Sequence, residues 1–338
     1  MATTVKKLSV RTEPYMEYEW VERGRFNKLY PRMLFHKMEE NTIRSKLSFS
    51  SLTSQPNPHT TNTSTNADHI TNLVNTTVQV LSTDGEKLMV FLKEGLQWPW
   101  KGDDLWLIKE TMAAAVNTLA DDFPAPEPKL SDTRHKAFLK QKAKHDSCGV
   151  YHFALWTATG HGHVKDAKTP FNAILSKDAD GQQSQVKKLA VKNFFRSFTP
   201  IIQTMGILFQ GVDEPAYNAY RRNYEELQKT TQLEWLKTSE RCCWLGLAVL
   251  SNLQVEPHKD RSDAKDGWVG MCCAGKFTGG LLVLPELELK LQFEPGDVVY
   301  FRSAILEHYV TGFEGERSSF VFFTPATLAN VIGENGGY

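Results

Sequence analysis

The texture of the sequence changes at Cys242. From there seven short apolar runs alternate with Gly and Pro turn signals: CCWLGLAVLSNL, GWVGMCCAG, GGLLVLP, LELKLQF, PGDVVYFRS, ILEHYV and SSFVFFT. Runs this short, spaced roughly 8–12 residues apart, read as strands of a sandwich, barrel or jelly roll. The residues before them are mixed. VNTTVQVLST, the turn signal Asp84-Gly85 and EKLMVFLKEG predict a β-hairpin. LWLIKETMAAAVNTLADDF predicts a helix capped by Asp103 or Asp104 and ended by the Pro124–Pro128 segment. VKKLAVKNFFRSFTPIIQTMGILF and PAYNAYRRNYEELQKTTQLEWL predict two more, with Pro200 kinking or splitting the first. The fold class is therefore α+β, a β-core buttressed by helices.

Ser48 to Asp68 is almost entirely Ser, Thr, Asn and Pro. Such a stretch buries too little apolar surface to offset its ordering entropy, and it reads as a linker. The expected organisation is an N-terminal arm over 1–47, a linker over 48–68 and one extended unit over 69–338, with its β-core at about 242–325.

Lys plus Arg equals 39 and Asp plus Glu equals 39, so the formal net charge is zero. That balance argues against a histone-like binder held by a large positive field, and leaves room for a local basic groove. Residues 129–145 carry such an excess, six Lys or Arg against one Asp, and read either as a solvated face or as a phosphate-contacting one. No apolar run is long enough to span a membrane. Cys148, Cys242, Cys243, Cys272 and Cys273 include no Cys-x-x-Cys, and apolar flanks make them buried free thiols in a reducing compartment.

Chemistry concentrates in the β-core, at His258-Lys259-Asp260, His308 and Arg317. Two imidazoles and a carboxylate that leave coordination positions open form the facial triad of non-haem Fe(II) oxygenases. On an extended segment His258 and Asp260 project from one face. By the same period Arg317, Ser319, Val321 and Phe323 share a face. A guanidinium buried there needs a carboxylate, either from the protein or from a bound acid such as 2-oxoglutarate, with the Ser319 hydroxyl as a second donor.

The pattern HxDxxD, GxFxGGxLxLPEL, PGDVVxFRSxxLxH and GERxSxVxFT, over residues 244–325, resembles the TET/JBP group of Fe(II)/2-oxoglutarate dioxygenases, and within it the fungal TET-like branch. The resemblance implies a double-stranded β-helix, with Fe(II) and 2-oxoglutarate as cofactors and O2 as co-substrate. It implies hydroxylation of a methyl group on a base of double-stranded DNA, 5-methylcytosine or N6-methyladenine, in the nucleus. His258, Asp260 and His308 match the iron ligands, and Arg317 and Ser319 the 2-oxoglutarate anchors, with Asn252 at the near end of that acid. Asp263, by itself an ordinary turn residue, matches the acceptor of an exocyclic amino group. Phe323 matches the residue that stacks on the extruded base, and Asn172 one that touches the base or its backbone. A base must leave the duplex to reach a buried iron. Lys259, Arg261, Lys140, Lys142 and Lys144, with Lys187, Lys188, Lys192 and Arg196, are the candidate phosphate contacts. A protein or small-molecule hydroxylase on the same fold stays open, because fold does not fix substrate. His161 and His163 are read as loop residues near the mouth of the site.

Overall fold

Strand alternation in the last apolar run sets the architecture. In SSFVFF, Ser319, Val321 and Phe323 turn one way and Phe320 and Phe322 the other, and both sets meet a core. The computed structural model describes residues 33–54, 69–97, 105–131, 133–157, 173–230 and 240–329. Its strands are β1 (Thr42–Arg44), β2 (Asn72–Val74), β3 (Val78–Leu81), β4 (Lys87–Leu92), β5 (Gly149–Thr157), β6 (Ala173–Leu175) and β7 (Gly246–Ser251). They continue as β8 (Val269–Gly279), β9 (Leu282–Leu284), β10 (Leu289–Leu291), β11 (Val298–Phe301), β12 (Tyr309–Val310) and β13 (Phe313–Phe323). The three long helices are α1 (Leu105–Asp122), α2 (Gln185–Val212) and α3 (Glu214–Thr230).

A nine-stranded sheet runs β1-β3-β4-β11-β8-β13-β7-β5-β6, and a four-stranded sheet runs β12-β9-β10-β2. An antiparallel bridge between His258 and His308 adds the segment before β8 to the β12 side of the smaller sheet. From β7 onward the chain passes back and forth between the two sheets. The order β7-β13-β8-β11 opposed to His258-β12-β9-β10 is that of a double-stranded β-helix, one of the folds the seven apolar runs allow and the one the resemblance implies. The upstream hairpin β3–β4 extends one edge of the large sheet, and β5 extends the other.

The helices cover the outer face of the large sheet. Phe198 of α2 stacks on Phe320 with ring centroids 4.6 Å apart, and Phe194 and Phe195 pack around Phe153 of β5. Ser184 caps α2 by accepting the Lys187 N–H. Pro200 does not split this helix, which runs unbroken for 28 residues. Apolar residues on both sides of the proline, Phe194 and Phe198 before it and Met205 and Phe209 after it, are buried in one core that holds both halves of the helix against the sheet.

The N-terminal boundary differs from the expected arm. Residues 42–44 form β1, which pairs in parallel with β3 and completes the sheet, and Leu34 and Met38 are buried in the helical core. The first residues of the predicted linker are also ordered, as the short helix Phe49–Ser54. Its first N–H groups, of Phe49 and Ser50, donate to Asp84 in the hairpin turn at 2.8 and 2.9 Å. Ser82 together with those backbone donors holds the Asp84 carboxyl well below the usual carboxylate range. Asp84 was read for its turn propensity, and its capping of a distant helix start depends on tertiary placement. Residues 55–68 lie outside the described residues, as do Asp103, Asp104, His161, His163 and Asn172.

Candidate metal centre

His258 and His308 face each other across the small sheet because their backbones pair. The His258 N–H donates to the His308 carbonyl at 3.2 Å, and the His308 N–H returns the bond at 2.9 Å. Pro257 keeps Glu256 extended, and the Glu256 carbonyl accepts from His258 Nδ1 at 2.9 Å. His308 Nδ1 donates in the same way to the Leu306 carbonyl at 3.1 Å. With both Nδ1 atoms engaged as donors, each Nε2 presents its lone pair. Asp260 completes the cluster: its Oδ1 is 3.5 Å from His258 Nε2 and its Oδ2 3.5 Å from His308 Nε2. All the potential ligand atoms lie within 4.8 Å of one another. Burial raises the Asp260 carboxyl, but with protons on both Nε2 atoms the hydrogen bonds and charge of the two imidazoles outweigh it and hold the group well below the usual carboxylate range, a place that a metal cation would take over from those protons. An N,N,O set of borderline and hard donors, with no thiolate, suits Fe(II).

Arg317 supplies a second test of fit. Its guanidinium is buried, ringed by Phe277, Phe293 and Phe313 with centroids 4.8 to 5.8 Å away. Nη1 donates to the Gly280 carbonyl at 2.7 Å, while Nε and Nη2 are buried with no hydrogen-bond partner. No carboxylate pairs with it among the described residues, so the structural ion pair that the sequence left open is not formed. A buried cation with two orphaned donors calls for an anion. A dicarboxylate such as 2-oxoglutarate fits, and Ser319, one pleat along β13, lines the cavity beside the triad, which Arg317 itself does not line.

That cavity, about 190 Å³, opens beside the triad. His258, Asp260, His308, Ser319, Asp263 and Phe323 all line it, so the structure gathers six of the predicted residues around one space. Across the sheet, His152, Ala248, Val321 and Met271 form one row of its floor, each paired with the next by strand register. Phe323 lies over Gly246, where any Cβ would collide with its ring, and beside Trp156 at 5.8 Å. Burial and the neighbouring Asp260 charge push the Asp263 carboxyl up to about 8, against the pull of the Ser303 hydroxyl and Arg134. A divalent cation on Asp260 would offset the second of these causes and lower the Asp263 pKa.

Other expected residues lie elsewhere. Asn252 does not line the cavity: its Oδ1 accepts the Arg317 N–H at 2.7 Å, and its Nδ2 donates to Ser147 O and to Glu316. Both amide hydrogens and one lone pair of Oδ1 are thus used within the protein, and Asn252 braces the anchor strand. Lys259 is tied to Glu286 at 2.8 Å, Lys142 to Glu127, and Lys144 to Glu314 at 3.4 Å. Their charge is largely compensated, unlike that of exposed Lys140 and Arg261, for which no ion pair is found among the described residues. Lys187, Lys188, Lys192 and Arg196 belong to α2, on the far face of the large sheet from the metal cluster. Sequence reading missed Arg134, His135, His152 and Trp156 as cavity residues. Period-two alternation in GVYHFALWT was the available signal for the last two. Arg134 and His135 sit in the basic segment, which was read for charge alone.

No protein-family model matches the chain, and no curated protein sequence matches it. Its fold is similar to solved structures. One is NgTET1 in complex with 5mC DNA, at 14% identity over 89% of this chain and 93% of that chain, with a TM-score of 0.47. A second is an oxidoreductase of the 2OG-Fe(II) oxygenase family from Burkholderia pseudomallei, at 12% identity over 70% and 82%, TM-score 0.32. A third is OsALKBH1, at 15% identity over 70% and 96%, TM-score 0.33.

Proposed function

We propose that this chain is an Fe(II)- and 2-oxoglutarate-dependent dioxygenase that oxidises the methyl group of 5-methylcytosine in double-stranded DNA, in the nucleus, after the base is turned out of the helix. The observation that carries the reading is the pairing, inside one β-helix, of the His258–Asp260–His308 cluster with a buried Arg317 that has no carboxylate partner among the described residues. Bound iron supplies the activation of O2 that couples decarboxylation of 2-oxoglutarate to hydroxylation of a C–H bond. The protein's part is to hold and to exclude. His258, Asp260 and His308 would hold the metal through three donors, and a site of three protein ligands leaves coordination positions for co-substrates. Arg317 and Ser319 hold the distal carboxylate in a charge-assisted site whose phenyl walls exclude water. Asp263 accepts a hydrogen bond from the exocyclic amino group, and Phe323 offers its ring to the base. Arg261 and Lys140, exposed and without an ion pair among the described residues, are cations available to phosphates.

An acceptor at Asp263 suits the amino group of N6-methyladenine as well, so the test carries both bases. Duplexes bearing either base are incubated with the protein, Fe(II) and 2-oxoglutarate, and the nucleosides are identified by mass spectrometry. The expected products are 5-hydroxymethylcytosine and its further oxidation products, none of them formed by His258→Ala. Demethylation of N6-methyladenine alone moves the assignment to that base. Turnover of a protein or small molecule with neither duplex touched removes nucleic acid from it.

A further inference from the structure

Ser303 stands just past the end of β11, 2% exposed, and holds two acidic residues at once. Its carbonyl accepts the Asp260 N–H at 3.0 Å, and its hydroxyl donates to Asp263 Oδ2 at 3.4 Å. The Asp263 N–H in turn donates to the Asp260 carbonyl at 3.0 Å, closing a ring of three residues, and Asp263 forms a further bridge with Pro325. Arg302, its neighbour, clamps the far end of the same loop. The Arg302 guanidinium stacks on Trp268 at 3.9 Å and donates to the Asp266 carbonyl, while Trp268 Nε1 donates to Asp213 at 2.8 Å. The loop from Asp260 to Trp268 is thus pinned at both ends by consecutive residues of one turn.

A carboxylate on a short side chain rotates freely unless one oxygen is held. With Oδ2 held by a buried hydroxyl, Asp263 keeps one orientation in the cavity wall, at a distance from the metal cluster set by the same serine. We propose that Ser303 is a positioning residue that aims Asp263 at the exocyclic amino group and so lets the site reject thymine. This inference rests on the reading of the cavity as a base-oxidising site. Thymine carries the same C5 methyl as 5-methylcytosine but presents a carbonyl oxygen where cytosine presents an amino donor. A fixed acceptor oxygen attracts the second and repels the first, whereas a carboxylate free to turn separates them less.

The experiment uses the iron-loaded protein with 2-oxoglutarate on matched duplexes that carry 5-methylcytosine or thymine at one position. Wild type, Ser303→Ala, Ser303→Thr and Asp263→Ala are compared by kcat/KM for each base, with Mn(II) affinity and KM for 2-oxoglutarate measured alongside. Ser303→Ala is expected to lower the preference for 5-methylcytosine by about 10-fold or more, the order of one lost base-edge contact. Ser303→Thr, which keeps the hydroxyl, restores most of it, and metal and 2-oxoglutarate binding stay at wild-type values. An unchanged preference in Ser303→Ala beside a collapsed one in Asp263→Ala overturns the role of Ser303 and leaves the base-oxidising reading standing. An unchanged preference in both variants overturns Asp263 as the reader of the base. Equal losses on both duplexes with weakened Mn(II) binding also overturn the proposal, by placing the effect of Ser303 on Asp260.

Discussion

Lys259 and Glu286 form an ion pair at 2.8 Å behind the metal cluster. The other carboxylate oxygen of Glu286 accepts the Glu307 N–H at 2.9 Å. One side chain therefore joins the residue between two ligands, His258 and Asp260, to the residue that precedes the third, His308. Outer contacts of this kind orient metal ligands, and their loss typically weakens metal binding about 10–100-fold. Glu286→Ala is expected to weaken Fe(II) binding by that order, measured by anaerobic titration, with Lys259→Ala costing less because the Glu307 bond survives. Unchanged affinity in Glu286→Ala would show that backbone pairing of His258 with His308 suffices.

Arg317 is a buried cation without a counter-charge among the described residues, and burial lowers its pKa from the ordinary arginine value. Replacing such a charge by an apolar chain of similar length commonly stabilises a protein. Arg317→Met is expected to melt higher than wild type without ligand. Wild type should then be stabilised by 2-oxoglutarate, by about 2.7 kcal/mol at a hundredfold excess over Kd, while Arg317→Met is not. Thermal shift with and without 2-oxoglutarate reads both; equal stabilisation of the two proteins by the acid contradicts the anchor.

All five cysteines are free and buried. Burial pushes Cys148 and Cys242 up to about 11 and Cys273 up to about 12, and raises Cys243 and Cys272 well above the ordinary thiol value. A thiol-reactive dye at pH 8 should label none of them in the native protein and all of them in denaturant. Their folded pKa values exceed the roughly 8.5 of an unfolded thiol, so stability is intact below that pH and falls as pH rises through the folded values. Urea midpoints at pH 7 and pH 10 measure this, and a midpoint rising with pH over that range would oppose it.

Phe198 and Phe320 stack between α2 and β13, both almost wholly buried. Phe320→Ala is expected to cost about 3–5 kcal/mol, read by urea denaturation. Because Phe320 turns away from the cavity, the KM for 2-oxoglutarate of the folded fraction should not move.

The strand pattern after Cys242, the spacing of HKD, His308 and Arg317, and the alternation that puts Ser319 and Phe323 beside Arg317 were all legible in the chain. Each depends on local periodicity, which the pleat converts directly into a face. The partners of the lysines were not legible: Lys142 finds Glu127 and Lys144 finds Glu314 only once helix and sheet are in place. Nor are the partners of Asn252 legible: its left-handed backbone, φ 48°, turns its amide onto Arg317 and Glu316. The order of residues 33–47 was hidden as well, because pairing of β1 with β3 joins a segment whose own sequence has no strong period.

Alternation and donor type are properties of the local chain, so a β-core of sandwich, barrel or jelly-roll type and the candidate ligands His258, Asp260 and His308 are readable from the order of residues, and the β-helix among those is what the resemblance implies. Only the tertiary structure decided which charges stay available, what Ser303 and Glu286 hold, and that β5 walls the cavity with His152 and Trp156. Those depend on hydrogen bonds and ion pairs between distant segments, whose energies are settled by proximity and burial rather than by the order of residues along the chain.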